Sequence, residues 1–173
     1  GYYIASPFSA IVALFPETHI TEALLVIFLL KTGLCGLTFG SYIEATRKRN
    51  RPMTVVFSTL YALCAYAVVM QHNTMWIDNL IYLPLILLGV ENIIKNGKYK
   101  MFIITLSLAI MSNFYIGYMM CLFCIVYFFY YYLSHDDGCE VNFYLETNHF
   151  WKSVGRMLVY SLIAIAISMI NVY

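Results

Sequence analysis

One short stretch of the chain concentrates side chains that can move protons or bind polar ligands. It reads MQHNTMWIDNL and separates two apolar runs, and its chemically capable residues are His72, Asn73, Trp76, Asp78 and Asn79. A carboxylate can take a proton from a reacting hydroxyl, and an imidazole can carry a proton near neutral pH. We therefore assign Asp78 and His72 as candidate catalytic residues and Asn73, Trp76 and Asn79 as candidate substrate-binding residues.

Each of these residues also has a structural interpretation. Asp is a common helix cap or first-turn residue, because helix N-termini favour negative charge. A His in a loop often does no more than make a hydrogen bond. Trp is enriched at membrane interfaces and can equally serve as a stacking platform for a sugar. The sequence alone leaves these alternatives open.

Lys31 is a second candidate, because it lies in the middle of the apolar run 21–43. It is separated from either end of that run by about 15 Å of helix. An ionisable residue at such depth usually faces a cavity or a partner. Glu22, Glu44 and Glu91 are acidic residues that could pair with it, and the phosphate of a lipid substrate is the other possible partner. We assign Lys31 to the substrate-binding set.

A third cluster of polar and aromatic side chains is the string NFYIGY, residues 113–118. Gly117 permits a tight turn or a close approach of two backbones. Tyr115 and Tyr118 combine apolar bodies with polar tips. We assign Asn113, Tyr115 and Tyr118 as further substrate-binding candidates, with an ordinary interfacial aromatic belt as the alternative.

The sequence gives no clear metal or redox site. Cys121 and Cys124 have CxxC spacing, but continuous apolar residues flank them, which favours helix packing. His19, His72 and Asp78 lack the close spacing of metal ligands. We therefore expect no metal site and no cofactor, while a weak dependence on a divalent cation stays open.

Composition places all these residues in a membrane protein. Of the 173 residues 62% are hydrophobic and only 11% are charged, whereas soluble domains carry about 25% charged residues. The net charge of +1 offers no basic field for nucleic acid. An integral membrane protein follows, with the lipid bilayer as its first partner.

Apolar runs near bilayer length predict an all-α, polytopic bundle of about six membrane helices within one transmembrane domain. The predicted spans are 21–43, 54–70, 79–94, 101–118, 116–133 and 157–173. The first segment is apolar for only about eight residues between Pro7 and Pro16, which is too short to span. We interpret 1–20 as an extracytoplasmic interfacial or re-entrant helix. Segment 134–156 is predicted to be a cytoplasmic loop. Because the chain starts without Met and ends within an apolar run, we expect it to be part of a longer protein.

Basic residues orient the bundle. All but one of the 10 Lys and Arg residues fall in three connections that strict alternation places on the same side, which is therefore predicted to be cytoplasmic. The opposite face then receives 1–20, 71–78 and the joint at 113–115. Helices that start near Thr21, Asn79 and Ile116 point their N-termini, which favour anions, at that outer face. A phosphate suits such a site better than a cation does.

Several strings resemble the YfhO family of bacterial membrane proteins. They are YYIASPFSAIVALFP, LLKTGLCGLTFGSYI, ALCAYAVVMQHNTMWIDNLIYLPLILLGVE and LSLAIMSNFYIGYM, in the family's order over most of 1–133. The substrings MWID and SNFYIGYM are the most specific parts.

The resemblance implies a bacterial, multi-pass protein similar to GT-C glycosyltransferases. Such enzymes take a sugar from a polyprenyl-phosphate donor on the extracytoplasmic face and transfer it to a cell-envelope acceptor, here teichoic acid and especially lipoteichoic acid. It also implies a principal catalytic carboxylate in a first outer loop, which would precede Gly1. A transporter or flippase of a lipid-linked or anionic substrate is the alternative function, although the polar residues gather on one side and no repeat is visible. A purely structural segment would leave Lys31 without a role.

Overall fold

The computed structural model describes residues 20–47, 51–70, 73–134 and 143–172, and within them it contains helices and no strand. The helices are α1 (Ile20–Arg47), α2 (Arg51–Ala62), α3 (Ala65–Val69), α4 (Thr74–Asn96), α5 (Lys100–Ser112), α6 (Phe114–Ser134) and α7 (Phe143–Val172). The all-α class predicted from composition is confirmed. His72 and the helix proposed within 1–20 lie outside the described residues.

Five crossings are long and apolar enough to span a bilayer. They are Ile20–Thr46, Pro52–Val69, Trp76–Asn96, Phe114–Tyr131 and Phe150–Met169 within the described ranges. The sixth apolar helix, α5, has 13 residues and extends for about 20 Å, less than the ~30 Å hydrocarbon core. The chain is therefore a multi-pass membrane helix bundle, with one helix that ends inside the membrane thickness.

Several helix boundaries differ from the sequence prediction, and the predicted span 54–70 forms two helices, α2 and α3. The predicted span began at Asn79, but helix α4 begins at Thr74. Asp78 and Asn79 do not mark its start, since they lie buried within its second turn. Helix α5 ends at Ser112, short of the predicted 118. Helix α7 begins at Phe143, inside the segment predicted to be a loop, because its first turns are too polar for hydropathy to reveal them.

Helix α4 is the centre of the bundle and packs against α1, α5, α6 and α7. Within its crossing window 61% of residues are buried, against 28% or less in the other four crossings. A large apolar core joins α4 to α5, α6 and α7. A smaller cluster of Cys35, Ala62, Ile77 and Ile81 joins α1 and α2 to the first half of α4.

Two polar contacts show that α1 and α4 run in the same direction. Lys31 meets Asp78 in the first halves of the two helices, and Tyr42 meets Glu91 near their last turns. Helix α2 follows α1 in the chain and runs antiparallel to it, since Gly36 lies beside Ala62 and Gly40 beside Ser58. We call the end of the bundle at which α1 and α4 begin the upper end.

A buried carboxylate ties three helices together toward the lower end. Glu91 Oε1 accepts hydrogen bonds from Tyr42 at 3.2 Å and Tyr127 at 2.7 Å. One turn later, Lys95 lies 5.5 Å from the centre of the Tyr131 ring. Because Glu91 and Lys95 on α4 meet Tyr127 and Tyr131 in the same order, α6 runs parallel to α4 and also begins at the upper end.

Pro84 explains one long-range hydrogen bond. Proline has no N–H, so it leaves the carbonyl four residues earlier, that of Leu80, without its helical donor. The Tyr61 hydroxyl donates to this carbonyl at 2.8 Å, and the Tyr61 ring stacks on Phe39 at 4.3 Å. The donor that α4 lacks within itself is therefore supplied by α2.

Replacing Tyr61 by Phe should destabilise the protein by about 1–3 kcal/mol, because the buried Leu80 carbonyl loses its donor. In a Pro84→Ala background the same change should cost much less, since alanine at that position restores a helical N–H. The measurement is the free energy of unfolding in detergent for four purified proteins: the wild type, the two single variants and the double variant. It compares the loss caused by Tyr61→Phe in the two backgrounds. Equal losses in both backgrounds would contradict the link between Tyr61 and Pro84.

Candidate functional site

Five buried polar side chains lie at similar depth toward the upper end of the bundle. They are Lys31, Asp78, Asn79, Ser112 and Asn113, each 3% exposed or less. We call them the polar layer. Helices α1 and α4 and the joint between α5 and α6 contribute them, so the layer depends on the packing of four helices.

An ion pair lies at the centre of the polar layer. Lys31 Nζ is 2.5 Å from Asp78 Oδ1. One turn beyond Lys31, Cys35 packs with Ile77 and Ile81, which flank Asp78, so apolar packing sets the separation of the two charges. Burying such a pair carries a desolvation penalty that its attraction often fails to offset. A buried pair of this kind is therefore weak evidence of a contribution to stability.

The partner of Lys31 was not among those named from the sequence. Glu22, Glu44 and Glu91 were the acidic residues considered, and Asp78 is the one that the fold brings to it. Asp78 does not cap a helix either, since no acidic residue lies in the first turn of α4.

The polar layer is recessed below the start of α1. Lys31 lies about 16 Å along α1 from Ile20. Asp78 lies only about 6 Å along α4 from Thr74. Because the two residues are in contact, α4 starts about 10 Å deeper in the bundle than the parallel α1.

The joint between α5 and α6 lies at the depth of the second turn of α4. A Cβ on Gly89 would lie 2.9 Å from Phe102 Cα, and the Tyr82 side chain interacts with Ser112. Helix α5 therefore runs antiparallel to α4 and ends one residue before Asn113. The carbonyl oxygen of the Asn113 side chain accepts from the N–H groups of Tyr115 and Ile116, at 3.1 and 3.3 Å, and so caps α6.

Asn79 has unused hydrogen-bonding capacity. Neither its side-chain oxygen nor its nitrogen has a hydrogen-bond partner among the described residues, and Ser112 Oγ likewise lacks one with bonding geometry. Leaving a buried polar group unsatisfied costs about 1–3 kcal/mol. An amide can both donate and accept, so Asn79 suits a ligand that carries hydroxyl groups.

The remaining candidates are placed differently. Trp76 is half-buried in the first turn of α4, and Asn73 is exposed just before it. Tyr115 and Tyr118 are 60% and 58% exposed on α6. The structure thus brings together Lys31, Asp78, Asn79 and Asn113, and it sets Tyr115 and Tyr118 on the surface of the described bundle.

Sequence reasoning missed two parts of this arrangement. Ser112 at the end of α5 belongs to the polar layer and interacts with Tyr82 of α4, and its place in the string SNFYIGYM was the signal for it. Glu91 was considered only as a partner for Lys31, whereas it bonds Tyr42 and Tyr127. Among the described residues no three His, Cys, Asp or Glu side chains gather as metal ligands would.

The chain is similar to proteins of one bacterial family. A family model described as "Bacterial membrane protein YfhO" matches residues 1–173. A protein of Bacillus subtilis (strain 168), named "Uncharacterized protein YfhO", is 26% identical over 135 residues, which is 76% of this chain and 15% of that relative. The chain thus spans a small fraction of the relative's length. No solved structure matches it.

Gly117 should be indispensable to the joint that holds Asn113. A Cβ at Gly117 would lie 2.8 Å from Ile110 Cα, whereas a Cβ at Gly33 meets nothing within 4 Å. Gly117→Ala should therefore lower stability by about 1–3 kcal/mol, as overpacking does, and Gly33→Ala should not. Unfolding in detergent compares the two variants. The close contact at the joint would be refuted if both variants were as stable as the wild type.

Proposed function

Because the chain belongs to the YfhO family of bacterial membrane proteins, we propose that it forms part of a membrane glycosyltransferase. The enzyme transfers a sugar from a polyprenyl-phosphate donor to a cell-envelope acceptor such as (lipo)teichoic acid, on the extracytoplasmic face. The observation that carries this proposal is the buried Lys31–Asp78 pair beside the unsatisfied amide of Asn79. The upper end of the bundle is the extracytoplasmic one.

The depth of the polar layer suits a lipid-linked substrate. The phosphate of such a donor sits at headgroup depth while its hydrocarbon chain stays in the bilayer. The layer lies about 16 Å along α1 from Ile20, so a donor phosphate reaches Lys31 only by leaving headgroup depth and entering between the helices. Intramembrane ionisable residues commonly mark such substrate paths.

The reaction can be written with these residues in place. An acceptor hydroxyl oxygen bonds to the anomeric carbon of the sugar, and the bond from that carbon to the phosphate oxygen breaks. The hydroxyl proton passes to a carboxylate, and the lipid phosphate leaves with the bonding electrons. Asp78 orients the acceptor or assists the base, and Lys31 offsets the charge that develops on the leaving phosphate. Asn79 hydrogen-bonds to sugar hydroxyls.

The other candidates complete the proposed pocket. His72 contacts the phosphate or the sugar, and Trp76 offers a stacking face at the entrance. Asn113 shapes the wall by holding the start of α6 in place, and Tyr115 contributes from the exposed face of that helix. The family resemblance assigns the principal carboxylate to another part of the protein, so Asp78 is given the orienting role.

The double variant Lys31→Met/Asp78→Val tests the proposal. Replacing a buried ion pair by apolar residues of similar volume is often neutral for stability, so the protein should accumulate normally. Envelope glycosylation should fall by about 100-fold, the lower range for removing a group that stabilises charge developing in the transition state. The measurement is the sugar content of envelope polymers in cells whose only copy is the variant.

Glu44→Gln is the matched control, because Glu44 is exposed on the same helix as Lys31. It should leave glycosylation unchanged. Full glycosylation by the double variant, at wild-type protein levels, would remove the ion pair from the mechanism.

One observation favours the transporter alternative. Glu91 places a second buried carboxylate in the lower half of α4, so ionisable groups lie in both halves of the bundle. A transporter should lose substrate movement across vesicles when Glu91 is changed to Gln. The transferase should instead form its product in open membrane sheets, where no transport is needed.

A further inference from the structure

At the lower end, the connection between α4 and α5 packs along one stripe of α7. Gly97 lies beside Arg156, since a Cβ there would be 3.0 Å from Nη1 of that guanidinium. Tyr99 stacks on Tyr160 with ring centres 4.6 Å apart. Arg156 and Tyr160 are one helical turn apart, and Lys152 continues the same stripe one turn earlier. We call this contact line the basic groove.

Four cations line the basic groove. Lys98 and Lys100 flank Tyr99 and are exposed, as is Lys152, whereas Arg156 is half-buried. No hydrogen bond or ion pair joins Arg156 to another residue in the part of the chain that the structure describes.

Capping of α4 does not account for Arg156. Gly97 N–H bonds to Ile93 O and Lys98 N–H bonds to Asn92 O, so these two carbonyls near the end of α4 have donors. Gly97 adopts the left-handed conformation, with φ of 65°, that this helix ending requires. The guanidinium lies beside this helix end without a hydrogen bond to any of the described α4 carbonyls.

The start of α5 adds to the positive field. This 13-residue helix begins at Lys100, has no acidic residue in its first turn and receives no side-chain cap from Tyr99. Unpaired N–H groups make such a terminus a partial positive charge that attracts anions. Helix α5 contains no acidic residue, and the nearest acid on α4, Glu91, is buried and bonded to Tyr127.

Aromatic side chains place the groove at the membrane surface. Trp151, next to Lys152, is 70% exposed, and the Tyr99–Tyr160 stack lies beside Arg156. Trp and Tyr concentrate where headgroups meet hydrocarbon. Basic pockets between membrane helices at this depth suit phosphate headgroups.

We propose that the basic groove binds the headgroup phosphate of an anionic phospholipid from the adjacent leaflet. Arg156 and the start of α5 contact the phosphate, while Lys98, Lys100 and Lys152 supply attraction at its rim. The acyl chains lie along the exposed apolar face of α7. This site lies at the opposite end of the bundle from the polar layer, and it stands independently of the proposed transferase.

Native mass spectrometry of the complete protein, titrated with phosphatidylglycerol or phosphatidylcholine, tests the proposal. The wild type should bind phosphatidylglycerol saturably and at least tenfold more tightly than phosphatidylcholine. Lys98→Gln/Arg156→Gln should weaken phosphatidylglycerol binding by about tenfold or more, since each basic residue near an anionic surface contributes about 1 kcal/mol. Arg156→Lys should lose less, because it keeps the charge.

Two controls sharpen the result. Arg49→Gln/Arg51→Gln removes the same charge at and just before the first residue of α2, and it should change binding less than twofold. Glycerol phosphate should compete only weakly, because it has no acyl chains. Equal lipid binding by the groove variant and the wild type would overturn the proposal.

An intramolecular counter-charge would also overturn it. The sequence places four acids shortly before the α7 stripe: Asp136, Asp137, Glu140 and Glu146. If these residues neutralise the groove, the wild type should bind no phosphatidylglycerol, and a variant with all four changed to amides should begin to bind it.

Discussion

The buried ion pair between Lys31 and Asp78 is the constraint on which the upper half of this bundle depends. Two charges in a bilayer-spanning structure are tolerated only when they meet. The packing of Cys35 against Ile77 and Ile81 brings the two charges together, and their contact goes with one depth of α1 against α4 and one rotation of both helices. It also places Asn79, the next residue on α4, in a buried position where its amide has no partner among the described residues. The same contact therefore goes with both the relative depth of the two helices and the position of the Asn79 amide.

Helix α4 links this site to the rest of the structure. Its first half contains Asp78 and Asn79 of the polar layer, and its last turns contain Glu91. Its middle contains Pro84, which has no N–H, so the Leu80 carbonyl accepts a hydrogen bond from Tyr61 instead. Asp78 meets α1, the Leu80 carbonyl bonds to α2, and Glu91 bonds to both α1 and α6. Apolar packing against lipid-like surfaces gives little positional specificity on its own, so polar contacts of this kind determine which helices pair and at what depth.

Sequence reasoning recovered the parts of the fold that follow from hydropathy. The membrane class and the helical bundle follow from the apolar runs, whereas one charge at an unusual depth predicts a role for Lys31 that stays a prediction. The sequence did not reveal the partner of Lys31. Asp78 is distant from Lys31 in sequence, and their contact depends on the packing of Cys35 against Ile77. The start of α4 was missed for a related reason: Asp78 has the composition of a helix cap, and only burial shows that it lies inside the helix.

The central claim is that the ion pair serves function and is not kept for stability alone. Exchanging the two charges, as Lys31→Asp/Asp78→Lys, keeps a pair in place while reversing the field that a bound phosphate would meet. The most direct measurement is envelope glycosylation by this variant beside its unfolding in detergent. We expect the exchanged variant to fold and to show little glycosylation. Near-normal glycosylation by the exchanged pair would contradict it.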